Sequence, residues 1–422
     1  MRRIALFVCV LCLAESLCSA QTARRPTPAP KRKSLTLSEA VSLFLRENLF
    51  LVAARFDVET AEAEKLSARL RPNPEFSLEA EDLPTDFGGK FFQQQEIAPV
   101  LGYTLELGGK RRKRMDSAGA HAKVAEAEFE ATMWQLTNDF KRKFFRLVLA
   151  QSKRELAEAN QKTFADILED NRQRFQLGEI SGLDLRRLEM EKLKFDIDVA
   201  NARGDFQLAL RDLRLALGGD YRRMDFAVEG KLDDRPYQFS LSELERKALE
   251  ARPDLRAGRR REAAADADIR LQRALRIPDL TLEWGYKRNG PDNTYDFGGG
   301  ISLPIFDRNQ GERAKALIQK RRARNEERIV TNNILSDVDK ALALFEIQKE
   351  RVETYRSGVL SRLDEIQKLT EDSYQAGEAS VLDLLDAVRT RRETQSGYYD
   401  TLFDYQMSLL DLELATATTL VK

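Results

Sequence analysis

Two kinds of hydrophobic pattern alternate along this chain. Long stretches rich in alanine, leucine, glutamate and arginine carry apolar residues at helical spacing, whereas four short stretches alternate between apolar and polar residues. In one of these, Phe76, Leu78 and Ala80 fall on one side and acidic residues or serine on the other. The alternation predicts β-strands with one apolar face at about residues 75–83, 95–107, 279–287 and 295–305.

Most of the remaining chain is predicted to be helical. Thr36 and Glu39 have capping-box spacing and begin a helix that continues to Leu70. Residues 111–172 contain no proline and a single glycine, and residues 311–372 form a second stretch of the same length. Each would make a helix about 93 Å long. Apolar residues of the second stretch alternate at spacings of three and four, which predicts coiled-coil packing through Leu335, Val338, Leu342, Phe345, Val352, Val359, Leu363 and Ile366.

A turn motif between two helices occurs twice. The first copy reads R-F-Q-L-G-E-I-S-G-L-D-L over residues 174–185, and the second reads S-Y-Q-A-G-E-A-S-V-L-D-L-L-D over residues 373–386. A glycine ends the incoming helix in each copy, since glycine adopts the left-handed cap without steric cost. A serine with an aspartate three residues later then begins the outgoing helix. The paired positions, always 199 apart, are Gly178 and Gly377, Glu179 and Glu378, Ser181 and Ser380, and Asp184 and Asp383.

The rest of the two halves repeats in the same order. Ser240 follows Thr36 by 204 positions, and Pro278 follows Pro74 by the same offset. Offsets held across caps, strands and turns indicate an internal duplication. The predicted units are a signal peptide (1–20), an N-terminal leader (21–35), a first repeat (36–217), a linker beside the junction of the helices (218–239) and a second repeat (240–422).

The amino terminus predicts export. Arg2 and Arg3 precede an apolar run, and small residues before Gln21 suit cleavage, although a short buried helix is the alternative. All three cysteines lie in this segment. A mature chain without cysteine excludes disulfides, thiolate metal sites and cysteine nucleophiles.

Charge and composition exclude several other classes. The chain has 69 basic and 69 acidic residues, which argues against nucleic-acid binding. Beyond the signal no apolar run approaches the roughly 20 residues of a membrane-spanning helix, which excludes a polytopic inner-membrane transporter. His121 is the single histidine and lies on a charged helix, so we expect no metal site. Carboxylates occur at helical spacing among lysines and arginines, typical of solvated faces, and we expect no cofactor and no enzymatic activity.

Four strands with apolar faces pose a problem of closure. They cannot enclose a lumen by themselves, and an open sheet leaves unpaired edges. An apolar face toward lipid and a polar face inward suit an outer-membrane barrel completed by other copies of the chain. The alternative is a soluble sheet that caps the helices. Pro99 cannot donate to a strand ladder and is interpreted as a bulge or as the beginning of its strand.

The order helix, two strands, long helix, turn and shorter helix, present twice over residues 36–420, resembles the TolC-type outer-membrane efflux proteins. Local matches are the two G-E-x-S turns, L-E-L-G-G-K-R at Leu105–Arg111 and L-P-I-F-D-R-N-Q-G at Leu303–Gly311. The fold implied is mainly α with a small transmembrane β part: a trimer with a 12-stranded barrel in the outer membrane continued by a 12-helix periplasmic barrel.

The resemblance also implies partners and a role. The homotrimer would contact outer-membrane lipid, a periplasmic adaptor (membrane fusion) protein and an inner-membrane pump of the resistance–nodulation–division type. It would be the exit duct of a tripartite efflux system in a Gram-negative-type bacterium. The two local motifs look most like members that serve metal-efflux pumps, with metal ions or small toxic compounds as cargo. The competing class is a periplasmic coiled-coil scaffold or adaptor without a membrane barrel.

Three groups of residues are candidates for function. A basic run that begins the first long helix would form a ring at the barrel base, or else a solvated rim or lipid contact, through Lys110, Arg111 and Arg112. The turns would dock the adaptor, unless they only cap helices, through Gly178, Glu179, Gly377 and Glu378.

The third group would form a periplasmic gate. By resemblance, Asp383 and Asp386 match carboxylates that ring the entrance, and Asp184 and Tyr374 match a hydrogen-bonded pair that helps to close it. Capping alone is the alternative for Asp184 and Asp383. Ala379 departs from family members that carry an arginine there, so the corresponding bridge cannot form.

Overall fold

The computed structural model describes residues 33–81, 96–218, 226–289 and 292–420. Its helices are α1 (Leu37–Glu47), α2 (Leu49–Arg69), α3 (Lys110–Gln176), α4 (Gly182–Leu217), α5 (Leu241–Ala251), α6 (Pro253–Ala274), α7 (Gln310–Thr354), α8 (Leu360–Gln375) and α9 (Val381–Thr416). Its strands are β1 (Lys33–Thr36), β2 (Glu75–Glu81), β3 (Glu96–Leu105), β4 (Phe226–Glu229), β5 (Leu280–Asn289) and β6 (Asp292–Ile301). The predicted signal peptide lies outside the described residues.

Strands of the two halves form one antiparallel sheet in the order β2-β3-β5-β6. Phe76 lies opposite Leu101, Leu101 opposite Trp284, and Trp284 opposite Phe297, so one apolar row crosses all four strands. The other face carries carboxylates such as Glu75 and Glu283. Every residue of β2 and β6 is exposed, and among the described residues neither strand has a partner on its outer edge.

Two details of the strands differ from the sequence prediction. β6 covers Asp292–Ile301, whereas alternation placed this strand at 295–305; Pro304 lacks the N–H that a longer ladder would require. Pro99 lies inside β3 and marks neither a bulge nor the beginning of the strand. Ile97 faces Arg288 and Val100 faces Gly285, so the register is the same on both sides of the proline and no residue is inserted.

The predicted helix from Thr36 to Leu70 is divided at Asn48. The backbone of Asn48 is extended, and its side-chain oxygen accepts hydrogen bonds from the N–H groups of Phe50 and Leu51 at 3.0 and 3.1 Å. Its side-chain amide donates to the carbonyl of Ala216 at 2.8 Å. This asparagine therefore begins α2 and ties it to the last turn of α4. Arg252 separates α5 from α6 at the equivalent place, and Pro253 occupies the first helical position.

The two long helices are not identical. α3 is continuous over 67 residues, whereas a π-helical turn at Tyr355–Val359 separates α7 from α8. Such a turn adds one residue to the helical repeat and rotates the buried face. Ile366 was expected in the core but is exposed, and Gln367 is buried instead. In the described ranges, no helix is apolar enough over a sufficient length to cross a membrane.

Three apolar cores hold the helices together. The first surrounds the junction of α1, α3 and α4, where Phe44 stacks on Phe140 with ring centroids 4.5 Å apart. β1 and β4 form a parallel pair beside it, although the sequence predicted only leader and linker there. The second core repeats the first with α5, α7 and α9. The third, here called the tip core, packs α3 and α4 against α8 and α9 near the two turns.

Candidate functional site

Both helix–turn–helix tips have the geometry that the glycines predict. Gly178 and Gly377 each have φ of 78°, in the left-handed region. The N–H of Glu179 donates to the carbonyl of Arg174 at 2.9 Å, and the N–H of Glu378 donates to that of Ser373 at the same distance. These six-to-one bonds define Schellman motifs, which satisfy the last carbonyls of the incoming helices.

The outgoing helices begin on serine caps of unequal completeness. The Ser380 hydroxyl accepts from the N–H of Asp383, and the Asp383 carboxylate accepts from the backbone N–H of Ser380 at 2.9 Å, which completes a capping box. Hydrogen bonds from Ser380 lower the pKa of Asp383. In the first tip the Ser181 hydroxyl donates to Asp184 at 2.7 Å, and Arg187 donates to the same carboxylate at 3.1 Å.

Tyr374 connects the two tips. Its side chain is buried in the tip core, and the guanidinium of Arg174 lies 4.8 Å from the centre of its ring. The resemblance predicted a hydrogen bond between Tyr374 and Asp184. In the structure the Tyr374 hydroxyl donates instead to the side-chain oxygen of buried Asn171. Burial raises the pKa of Tyr374; the charge of Arg174 opposes this effect and the charge of Asp184 adds to it.

Asp383 and Asp386 lie together on the exposed side of the first turns of α9. Asp386 lies beyond the capping box, so capping does not require its charge. Val381, Leu384, Leu385 and Val388 of the same helix are buried in the tip core. The helix thus presents two carboxylates on the side opposite to the one that holds it in place.

Within one chain, two of the three residues predicted to form the basic ring have partners of their own. Lys110 is buried, and its ammonium group lies 2.8 Å from the carboxylate of Asp279. Arg111 donates to the carbonyl of Arg69 at 2.7 Å. Of the three predicted ring residues only Arg112 is exposed.

The basic run chiefly connects the start of α3 with the end of α2 and with the residue before β5; we call this set of contacts the clamp. Arg114 pairs with Glu106 and donates to the carbonyl of Leu70 at 3.0 Å, next to the bond from Arg111. Two carbonyls at the end of α2 thus receive donors from the start of α3. Cations oppose the helix dipole at this position, and these contacts explain their presence.

Three residues that join the helices near the tips were not predicted from the sequence. Asn171 and Arg174 hold Tyr374, and Glu191 of α4 is 1% exposed and bonded to Arg389 of α9. The sequence contained one signal for Glu191. It lies between Leu188 and Phe195 at spacings of three and four, where a helix buries its apolar side.

The described residues hold no cluster of histidine, cysteine or carboxylate side chains suited to a metal ion. His121 is bonded to Asp268, whose carboxylate lies 3.0 Å from Nε2, and Ser117 donates to the same carboxylate at 2.5 Å. The serine contacts the aspartate and not the imidazole, so this group lacks the base–nucleophile contact of a catalytic triad. It ties α3 to α6 near the sheet.

Residues 40–219 and 244–418 match the family described as outer membrane efflux protein. The chain belongs to this family, as its duplicated helices, four-stranded sheet and paired tips lead one to expect. It is an outer-membrane efflux channel protein, and the family comprises channel proteins rather than enzymes. The resemblance to TolC-type proteins is confirmed, and a periplasmic scaffold without a barrel is not favoured.

Individual relatives agree with this assignment. The cobalt-zinc-cadmium resistance protein CzcC of Cupriavidus metallidurans is 28% identical over 374 residues, which are 87% of this chain and 86% of CzcC. The probable outer membrane lipoprotein SilC of Salmonella typhimurium is 24% identical over 336 residues, 76% of this chain and 71% of SilC. A solved CusC structure superposes with a TM-score of 0.76 at 20% identity, covering 94% of this chain and 98% of that one, which shows a shared fold.

The clamp yields a prediction for the basic run. Lys110→Gln should lower the amount of folded protein and its thermal stability, because it leaves Asp279 without its buried partner. We expect a loss of about 2 kcal/mol, the scale of a charged hydrogen bond, because Asp279 is 30% exposed and keeps its bond from the N–H of Leu107. Arg112→Gln is the matched control and should stay within about 0.5 kcal/mol of the wild type. Circular dichroism on heating in detergent would measure both; equal stability of the two variants would contradict the clamp.

Proposed function

We propose that three copies of this chain assemble into a duct that crosses the outer membrane and carries cargo out of the periplasm. The observation that carries the proposal is the four-stranded sheet. Its apolar side exposes Phe76, Trp284 and Phe297 at 71, 49 and 80%, and its outer edges are open in the described residues. Three copies of four strands give twelve, enough to enclose an aqueous lumen.

The two faces of the sheet differ in polarity, which supports a barrel with one face toward lipid and the other toward a lumen. Glu75, Glu79 and Glu283 lie on the face opposite the apolar row, where a lumen would keep them hydrated. Lipid would cover the row itself, since exposed apolar surface of this extent is unfavourable in water. Of the predicted basic ring, Arg112 remains as a cation that could affect ions passing the base of the sheet.

We propose metal cations as the cargo class. Two relatives, CzcC and SilC, share 28 and 24% identity with this chain, and the name of CzcC refers to cobalt, zinc and cadmium. Since the described residues contain no metal-holding cluster, selection of the metal belongs to an inner-membrane pump and its adaptor. The present chain would supply the passive exit.

The tips are proposed as the docking site of a periplasmic adaptor. Around Gly178 and Glu179 the turn exposes 75% of Leu177, an apolar residue that the helix cap does not require. The second tip is smaller, with Gly377 and Glu378 exposed beside alanine. The two tips thus offer an adaptor one larger and one smaller apolar contact per chain.

The entrance is proposed to lie at Asp383 and Asp386. In a trimer these carboxylates would form a group of six, which attracts cations. Tyr374 packs against the buried side of α9 in the tip core and is bonded to Asn171. We therefore assign Tyr374 to holding the second hairpin in place, and the two aspartates of α9 to the passage itself.

Assembly is the first expected outcome. The mature protein, extracted from outer membranes in mild detergent, should have the mass of three chains, because pairing of β2 with β6 of a second copy covers both edges. Native mass spectrometry measures this directly. A stable, membrane-inserted monomer would contradict the proposal.

Block by cations tests the entrance. Asp383→Ala combined with Asp386→Ala should relieve block of single-channel current by a trivalent cation in planar bilayers, because the charges that bind it are removed. Ser380→Ala is the control: it removes the cap bonds but no charge, so block should persist. If the double variant is blocked as strongly as the wild type, the constriction lies elsewhere.

Docking is best tested without touching the glycines, whose positive φ would strain any substituted side chain. Leu177→Glu should abolish export of zinc by cells while leaving trimers intact, because it puts a charge into an apolar contact. The matched control is Gln173→Glu, one turn earlier and also exposed, which should export zinc normally. Normal zinc export by Leu177→Glu would exclude the tip as the docking site.

A further inference from the structure

A buried carboxylate joins the two hairpins just above their tips. Oε2 of Glu191 accepts hydrogen bonds from Nε and Nη2 of Arg389 at 3.0 and 2.6 Å, and from Lys194 at 3.0 Å. Oε1 lies 3.5 Å from Nη1 of Arg392. Glu191 and Lys194 belong to α4, whereas both arginines belong to α9. Arg392 also lies 3.4 Å from the carboxylate of Asp198 on α4. Two carboxylates of α4, of which Glu191 is the buried one, therefore connect the hairpins through charged side chains.

This cluster occupies a core position. Leu188 and Phe195, three residues before and four after Glu191, are both buried in the tip core. Burial opposes ionisation of Glu191, yet the hydrogen bonds from Arg389 and Lys194 outweigh it and lower its pKa. The carboxylate is therefore charged at neutral pH. A buried charge of this kind is costly unless its partners remain in place, so it favours one arrangement of the two helices.

The duplication shows that the hairpin design does not require this cluster. With the offset of 199, the equivalent of Glu191 is Thr390, and the equivalents of Arg389 and Arg392 are Met190 and Leu193. Met190 and Leu193 are exposed in the chain. At this level the contact between α4 and α9 is ionic. The positions of α4 that correspond to Arg389 and Arg392 form an apolar surface instead. The second half of the chain has diverged here from the first.

We propose that Glu191 is a positioning residue that holds α9 against α4 and thereby fixes the width of the periplasmic entrance. The inference rests on the proposed function, in which Asp386 lines that entrance. Asp386 precedes Arg389 by three residues, about 4.5 Å along the helix. The two are also coupled electrostatically: the hydrogen bond to Glu191 raises the pKa of Arg389, and the charge of Asp386 raises it further.

The entrance can widen only if α9 moves, and the cluster resists that movement. If α9 moves away from α4, Arg389 and Arg392 move away from Glu191. Of its three cationic partners, Glu191 then keeps only Lys194, which lies on its own helix. If the charge of Glu191 is removed while α9 stays, Arg389 and Lys194 lose the carboxylate that lies between them, whereas Arg392 keeps Asp198. Loss of this single charge should thus favour the wider entrance.

Single-channel recording of purified protein in planar bilayers tests the inference. Glu191→Gln keeps the size of the side chain and should raise the open fraction of the channel about tenfold, equivalent to about 1.4 kcal/mol. Arg389→Gln should do the same, and the double variant should add little, because both changes break one contact. Asp196→Asn is the matched control. Asp196 accepts from Lys192 and Gln161, within the first hairpin, so its variant should conduct like the wild type.

The outcomes separate this inference from the proposed function. If the wild type and both the Glu191→Gln and Arg389→Gln variants carry no current, the proposed function itself is overturned. A conducting wild type with an unchanged open fraction in Glu191→Gln would overturn only the role of Glu191, as would equal opening of Asp196→Asn. If Glu191→Gln fails to form trimers, Arg389→Lys keeps the charge with fewer donors and should open to an intermediate extent. Trimeric Arg389→Lys with the wild-type open fraction would then overturn the inference.

Discussion

In the part of the chain that the structure describes, the four-stranded sheet has unpartnered edge strands that are exposed on both faces, and the rest of the structure depends on this constraint. Neither half of the chain can form a stable sheet alone. Each half contributes two strands to it, and a two-stranded ribbon is only marginally stable by itself. Joining β3 to β5 makes the four-stranded unit and leaves β2 and β6 as edges. The helices must then place both edges where further copies can reach them.

The continuous helix α3 connects the sheet with the helix tips at the other end of the molecule. Its first residues pair with Asp279, which directly precedes β5, and donate hydrogen bonds to the last carbonyls of α2. The sheet and the two helices therefore meet at the start of α3. Its last residues hold Tyr374 through Asn171 and Arg174. One rod of 67 residues thus connects the membrane end with the tips. The second long helix has a π turn instead, so the two hairpins differ in how rigidly they connect the ends.

The sequence predicted elements whose signals are local. Gly178 and Gly377 end helices because of a property of glycine itself, and alternation in β2 depends on residues next to each other. The π turn could not be predicted, because no local pattern in Tyr355–Val359 distinguishes it from the α-helix on either side. Pairings of distant residues were missed for a related reason. The partners of Lys110 and Tyr374 lie 169 and 203 positions away, and only packing brings them together.

Divergence between the repeats indicates where the two halves do different work. The caps and turns were retained, since both hairpins need them to fold. At the level of Glu191, however, an ionic cluster faces the other hairpin of the same chain, while Met190 and Leu193 leave an apolar surface on α4. Ionic contacts depend on geometry and apolar contacts tolerate sliding, so the two boundaries should yield under different forces. In the proposed trimer, a second copy covering Met190 and Leu193 would add an apolar boundary to the ionic one within each chain.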